Sequence, residues 1–201
     1  MSKPSVSVVT PTWQRHDLLL NRAVPSVVGQ DYPAIEHIIV SDGPDPVLRK
    51  ELIRYDGLAA VTRFAELPEH DPEAQWGHYA RLHGLDLAKG EYIAYHDDDN
   101  SWHSYHVRLL VRALEETGAD FAYPLMAVHG RGEYVIGTDP PAEGQIDTSM
   151  IVHRRELLDV ATWRWYPGIP TIDWDLVERW MAAGATWTRV NAVTCDYYFH
   201  G

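Results

Sequence analysis

The chain has 201 residues, 45% hydrophobic and 23% charged, which fits one domain with a full core and excludes wholesale disorder. The formal net charge is -12, from 17 Lys and Arg against 29 Asp and Glu, so the chain repels phosphate backbones and general nucleic-acid binding is disfavoured. One cysteine, Cys195, excludes an internal disulfide framework and fits a reducing cytoplasm with a buried, inert thiol. No signal-peptide pattern opens the chain, and no stretch approaches the ~18 uninterrupted apolar residues of a membrane span.

Ser5 to Thr10 is a β-branched run that reads as a strand ending at Pro11. Arg15 to Val28 has helical spacing, with Pro25 predicting a kink and Gly29 a stop. Ile35 to Val40 is a second strand, closed by the turn signal Ser41-Asp42-Gly43-Pro44. Pro46 to Tyr55 reads as a helix and Ala60 to Glu66 as a strand, and Pro68 to Trp76 is irregular. Gly77 to Lys89 is helical, with Gly90 predicted to cap it. Glu91 to Tyr95 is a strand running into Asp97-Asp98-Asp99. His103 to Thr117 is an amphipathic helix ending at Gly118, and Phe121 to Val128 is a strand. Gly130 to Gln145 reads as a loop or hairpin, Ile146 to His153 as extended, and Arg155 to Val160 as a short helix. Asp173 to Ala183 is a helix, and Thr186 to Thr194 alternates as a strand.

Strands alternating with helices imply βαβ units and a mostly parallel sheet, whose ligands bind beyond the carboxyl ends of the strands. The residues after each strand therefore carry the chemistry: Pro11 and Thr12, Asp42, and the acidic run. Three consecutive carboxylates repel one another and lose hydration together unless a cation compensates them. Hard oxygen donors select Mg²⁺ or Mn²⁺. In an extended segment Asp97 and Asp99 would share one side and Asp98 would point away, so one ion near Asp97 and Asp99 could also take phosphate oxygens. A solvated acidic loop or a helix N-cap is the plain alternative. Asp42 can accept from a base N–H or a ribose hydroxyl, or be an ordinary turn residue. Asp173 and Asp175 flank Trp174 at a helix start, where either serves as a general base or as a dipole-stabilised N-terminal acid. Among eleven histidines, His96 suits packing beneath the acidic run and His200 is a candidate third metal ligand. Arg81 and Arg154 are candidates to meet phosphate charge. Eight tryptophans and eleven tyrosines suit sugar stacking and core packing equally. No Walker loop or GxGxxG fingerprint is present, which argues against an ATPase and a nicotinamide enzyme.

The segments Val8 to Arg15, Ser26 to Pro33, Ile38 to Gly43, Ala80 to Gly84, Ala88 to Ala94 and Asp97 to Trp102 stand in an order that resembles family 2 glycosyltransferases. The likeness covers residues 5 to about 115 and returns at Ile172-Asp173-Trp174-Asp175-Leu176. It implies the GT-A fold, a Rossmann-like three-layer α/β/α sandwich in a single domain over 1–201, with a nucleotide-binding part about 1–102 and an acceptor part about 103–201. It further implies an inverting, metal-dependent hexosyltransferase that uses a nucleotide-sugar donor, UDP-sugar favoured. Pro11, Thr12 and Asp42 would surround the nucleoside, and Arg81 and Asp98 would join the donor site. Asp97 and Asp99 would be the DxD pair for Mn²⁺ or Mg²⁺, and Asp173 the catalytic base. The sequence departs from the family at Ile172, usually Glu, and at His83, usually Asn. An end at Gly201 makes the acceptor region minimal, so the acceptor is small or a partner, such as a second copy, completes the site. The competing readings are a nucleotidyltransferase of similar architecture, which would want a basic Gly-rich loop after the first strand, and a non-catalytic nucleotide- or carbohydrate-binding module.

Overall fold

The computed structural model describes residues 4–54, 62–70, 72, 77–169 and 171–199. Strand β1 (Val6–Thr12) is buried along its whole length, as a strand covered on both faces must be. It pairs in parallel with β2 (Ile35–Ser41) and with β4 (Tyr92–Tyr95), and β2 pairs in parallel with β3 (Thr62–Glu66). The strand runs on through Pro11 rather than ending there. Pairing with β4 stops at Val9–Tyr95, so the missing N–H of Pro11 has no ladder partner to lose on that side.

Between β1 and β2 the predicted helix is broken into α1 (His16–Leu18), a π turn (Leu19–Ala23) and α2 (Val24–Val28). Pro25 sits in the first turn of α2, and the wider π turn just before it absorbs the kink. Alternation along β2 sends Ile39 to one face, against Leu19, Ala23, Val24, Leu48 and Leu52, while Ile38 and Val40 join the larger core cluster. The helices α3 (Pro46–Arg54) and α4 (His78–Leu87) follow β2 and β3. Tyr55, Ala60 and Trp76 lie outside the described residues.

Gly90 does not cap α4, which ends at Ala88 in an extended conformation. Its role is close approach: a Cβ there would lie 2.5 Å from Ser7 N, and Gly90 N donates to Ser7 Oγ at 2.7 Å.

The second half extends the same sheet. Its elements are β5 (Ser101–Trp102), α5 (His106–Thr117), β6 (Phe121–His129), β7 (Tyr134–Ile136), a 3₁₀ turn (Thr148–Met150), β8 (Val152–Arg154), α6 (Leu157–Val160), α7 (Ile172–Ala182) and β9 (Trp187–Tyr198). The order across the sheet is β3-β2-β1-β4-β8-β6-β9-β5, with β7 hairpinned onto β6. β8 runs antiparallel to both β4 and β6 and so joins the parallel block to the rest. Three features differ from the sequence reading, the first being the 3₁₀ turn at Thr148–Met150 inside the run Ile146 to His153 that was expected to be extended. The short β5 pairs with β9, and β9 extends four residues past Thr194 to Tyr198, because its far end is held between β5 and β6.

Many of the histidines and tryptophans are core residues. Burial lowers the pKa of His37, His96, His106 and His153 and favours their neutral form. Each keeps a side-chain hydroxyl partner, Thr10, Ser26, Thr194 and Tyr95 respectively, and His153 also reaches the Arg154 carbonyl. Trp102 is stacked between His96 and His106, at 4.3 and 4.2 Å, and Trp163 and Trp180 are fully buried. Cys195 is buried, and burial pushes its thiol well above the usual range, so it is an inert core residue. Among the described residues no helix is long and apolar enough to cross a membrane.

Candidate active site

The carboxyl ends of β1, β2 and β4 open onto one cleft of about 630 Å³. Pro11, Thr12, Asp42, Arg81, Asp97, Asp98, Asp99 and Asp173 all line it, so the fold gathers residues spread over more than 160 positions. His200 lies outside the described residues. Arg154 is elsewhere: it donates to the carbonyls of Leu114 and Ala119 at the end of α5, where cations stabilise a helix terminus.

The acidic run is a turn, not an extended segment, so the expected alternation does not apply. Asp98 is the most buried of the three: it accepts from Thr12 Oγ1 at 2.7 Å and from Arg15 at 3.3 Å. Burial pushes its pKa up to about 6, with Asp99 and Asp97 adding repulsion and Thr12 and Arg15 opposing. Asp99 Oδ2 takes the same guanidinium at 2.7 Å, while Arg22 bonds its backbone carbonyl at 2.6 Å and lies over the Tyr198 ring. Asp97 is held from the other side by Arg81 at 2.5 Å. Arg81 is only 3% exposed, and its guanidinium faces the Trp163 ring at 5.1 Å. Arg15 and Arg22 were not singled out from sequence. Their one signal was position, just after the first strand.

A sixth carboxylate was missed altogether. Asp147 lines the cleft, and its carboxyl is driven well above the ordinary range by burial and by the fields of Asp97, Asp173 and Asp99. In sequence it reads as a plain turn residue, and it does make that turn by accepting from Ser149 N at 2.8 Å. What exposes its second role is Ser149. The Ser149 hydroxyl accepts from Asp97 N and from Asn100 Nδ2, and its carbonyl accepts from Trp102 Nε1. The Asp147 turn is thereby fastened to the acidic turn some 50 residues earlier in the chain.

Asp173 and Asp175 part company here. Asp173 faces the cleft, and burial raises its pKa, aided by Asp97, although the first-turn N–H of Trp174 bonds it at 2.7 Å. Asp175 points away, between Arg164 and Arg179. Burial works against its charge, but those two guanidiniums outweigh it and hold its pKa below the ordinary value. Asp175 is a structural acid, leaving Asp173 as the candidate base.

Six carboxylates, Asp42, Asp97, Asp98, Asp99, Asp147 and Asp173, thus share a cleft with Arg15 and Arg81. The surplus is negative and every donor is a hard oxygen, the chemistry that suits a divalent Mg²⁺- or Mn²⁺-type ion. Among the described residues no three His, Cys, Asp or Glu side chains form a ready metal cage. An ion there would be held by one or two carboxylates and completed by ligand phosphates.

Known proteins share this arrangement of strands and helices. TarS of S. aureus, solved in complex with UDP-GlcNAc, superposes with a TM-score of 0.79 at 13% identity, over 98% of this chain and 59% of TarS residues 1–349. The mannosyltransferase PcManGT from Pyrobaculum calidifontis, solved with GDP-Man and Mn²⁺, gives 0.76 at 17% identity over 98% of this chain and 57% of that one. These likenesses establish the GT-A type fold. In sequence, TuaG of Bacillus subtilis (strain 168), named as a glycosyltransferase of teichuronic acid biosynthesis, is 31% identical over 131 residues, 64% of this chain and 50% of TuaG. WcaA of Escherichia coli (strain K12), named for colanic acid biosynthesis, is 34% identical over 101 residues, 50% of this chain and 34% of WcaA. The chain therefore spans half or less of the length of these curated relatives. The model of one family, glycosyl transferase family 2, matches residues 7–164, well over half of the 201, and the chain belongs to that family.

Proposed function

We propose that this chain is an inverting, metal-dependent glycosyltransferase that moves a sugar from a nucleotide-sugar donor, UDP-sugar favoured, to an acceptor hydroxyl. The observation that carries the reading is Asp173: a cleft-facing carboxyl with a raised pKa, in the same pocket as the acidic turn and Asp42. Pro11, Thr12 and Asp42, from the part about 1–102, would bound the nucleoside. Asp147, Asp173 and Tyr197, from the part about 103–201, would face the acceptor.

Asp99, with Asp97 in support, would hold Mn²⁺ or Mg²⁺, and the sequence offers His200 as a third donor. Bound there, the metal would supply Lewis-acid charge to the diphosphate. Arg15 and Arg81 hold the acidic turn in shape and temper its repulsion. Asp173 takes the proton of the acceptor hydroxyl as its oxygen attacks the anomeric carbon. The bond from that carbon to the diphosphate oxygen breaks on the opposite face, which inverts the configuration, and the nucleoside diphosphate leaves with the electron pair.

The test is UDP binding by calorimetry with and without Mn²⁺. Binding should strengthen with the metal, and Asp99→Asn should cost more than the roughly 10- to 100-fold that loss of an outer-shell partner costs a metal site. UDP binding indifferent to Mn²⁺ in the unaltered chain would sink the donor-site assignment.

A further inference from the structure

The loop after β3 delivers a group that this mechanism leaves unused. His70 lines the same cleft as Asp42, and its Nδ1 lies 3.1 Å from Asp42 Oδ2. A carboxylate only accepts hydrogen bonds, so Nδ1 carries the proton in this contact and the tautomer follows from the chemistry. The imidazole is itself fixed. It lies flat on the indole of Trp13, with ring centroids 4.3 Å apart and planes 8° from parallel. Gly43 permits this: a Cβ there would stand 2.9 Å from both His70 N and Trp13 Cζ3. Asp42 is also tied through its backbone N to Thr12 O at 2.9 Å. Its carboxylate is thus held in place in a cleft whose lining also includes Pro11, Trp13, Pro72 and Gly77. Flat, largely apolar walls around one fixed acceptor suit a heteroaromatic ring that offers an N–H.

We propose that His70 is a specificity-determining positioning residue for the nucleobase, resting on the donor reading above. By holding Asp42 as a fixed acceptor, it selects bases with a ring N–H at the recognised edge, such as uracil and guanine. It rejects bases with a bare ring nitrogen there, such as cytosine and adenine. The rejected base would set a ring lone pair against the carboxylate, with no proton for the two to share. That mismatch costs on the order of 10- to 100-fold in affinity.

The experiment is calorimetric titration of the full chain with UDP, GDP, CDP and ADP in saturating Mn²⁺. The unaltered chain should bind UDP or GDP at least about tenfold more tightly than CDP and ADP. His70→Ala should shrink that ratio severalfold. His70→Asn, whose amide N–H falls where Nδ1 was, should restore most of it. A merely structural role would weaken all four nucleotides together and leave the ratios unchanged. Unchanged ratios in His70→Ala, or four equal affinities in the unaltered chain, overturn the inference while the donor site stands. If no nucleotide binds at all, the donor reading has failed and this inference falls with it.

Discussion

Two carboxyls two residues apart on α7 live in opposite electrostatic worlds. On the outer side Asp175 sits between Arg164 and Arg179 and is held in its charged form. On the inner side Asp173 looks into a cleft where Asp97, Asp98, Asp99 and Asp147 outnumber the guanidiniums, and its charged form is disfavoured. Where folding alone matters, charges are paired off. Where they remain in surplus, the fold tolerates a cost that only a ligand or a proton relieves.

The comparison breaks most sharply through chemistry. Asp173→Asn should lower turnover by about 10³-fold, the middle of the range for a general base, while UDP and Mn²⁺ still bind. Turnover that survives would put the base elsewhere. Asp175→Asn should do the reverse, leaving turnover per folded molecule intact. It should cost about 2 kcal/mol in urea unfolding, below the usual value for a broken buried pair because Arg164 is half exposed. Its pH dependence has a definite sign. The native pKa of Asp175 lies below the unfolded one, so its stabilisation is present at neutral pH and fades as pH falls below about 4. The mutational penalty should shrink in the same window.

Asp147→Asn makes the smallest change and the opposite one. Its native pKa is raised, so the folded protein loses stability as pH climbs from about 4 through that higher value. The substitution should therefore stabilise the chain at pH 7 by about 1 kcal/mol, seen as a Tm higher by about 3 °C. The gain should vanish near pH 4, and a gain that persists there would mean that repulsion is not its cause.

The parallel half of the fold was legible because its signals are local. Val6, Val8 and Val9 and the run Ile38 to Val40 put apolar residues on both faces, and the turns after them announce the mouth of the cleft. Asp42, Asp97 and Asp99 were found in the same way, Arg81 as a candidate for phosphate charge and Asp173 at a helix start, and all reach that cleft. What stayed hidden depends on distant partners. Nothing in Asp173-Trp174-Asp175 says which acid faces inward, since the guanidiniums that settle it come from Arg164 and Arg179. Asp147 looks like a turn residue until Ser149 ties it to Asn100. The alternation expected of Asp97 to Asp99 failed because β4 ends at Tyr95 and the chain turns. Gly90 has the look of a helix cap, but Ser7, more than 80 positions away, sets its role.

Ser149 also bears on how such a chain can change over generations. One small residue receives hydrogen bonds from Asp97, Asn100 and Trp102, while its own N–H holds Asp147. A mutation that shifts the acidic turn must shift the Asp147 turn with it, and the converse holds. The two halves of the cleft are thus inherited as a linked pair. On the proposed function, a lineage exploring new acceptors would have its freedom at Thr171 and Tyr197, cleft positions outside that rivet.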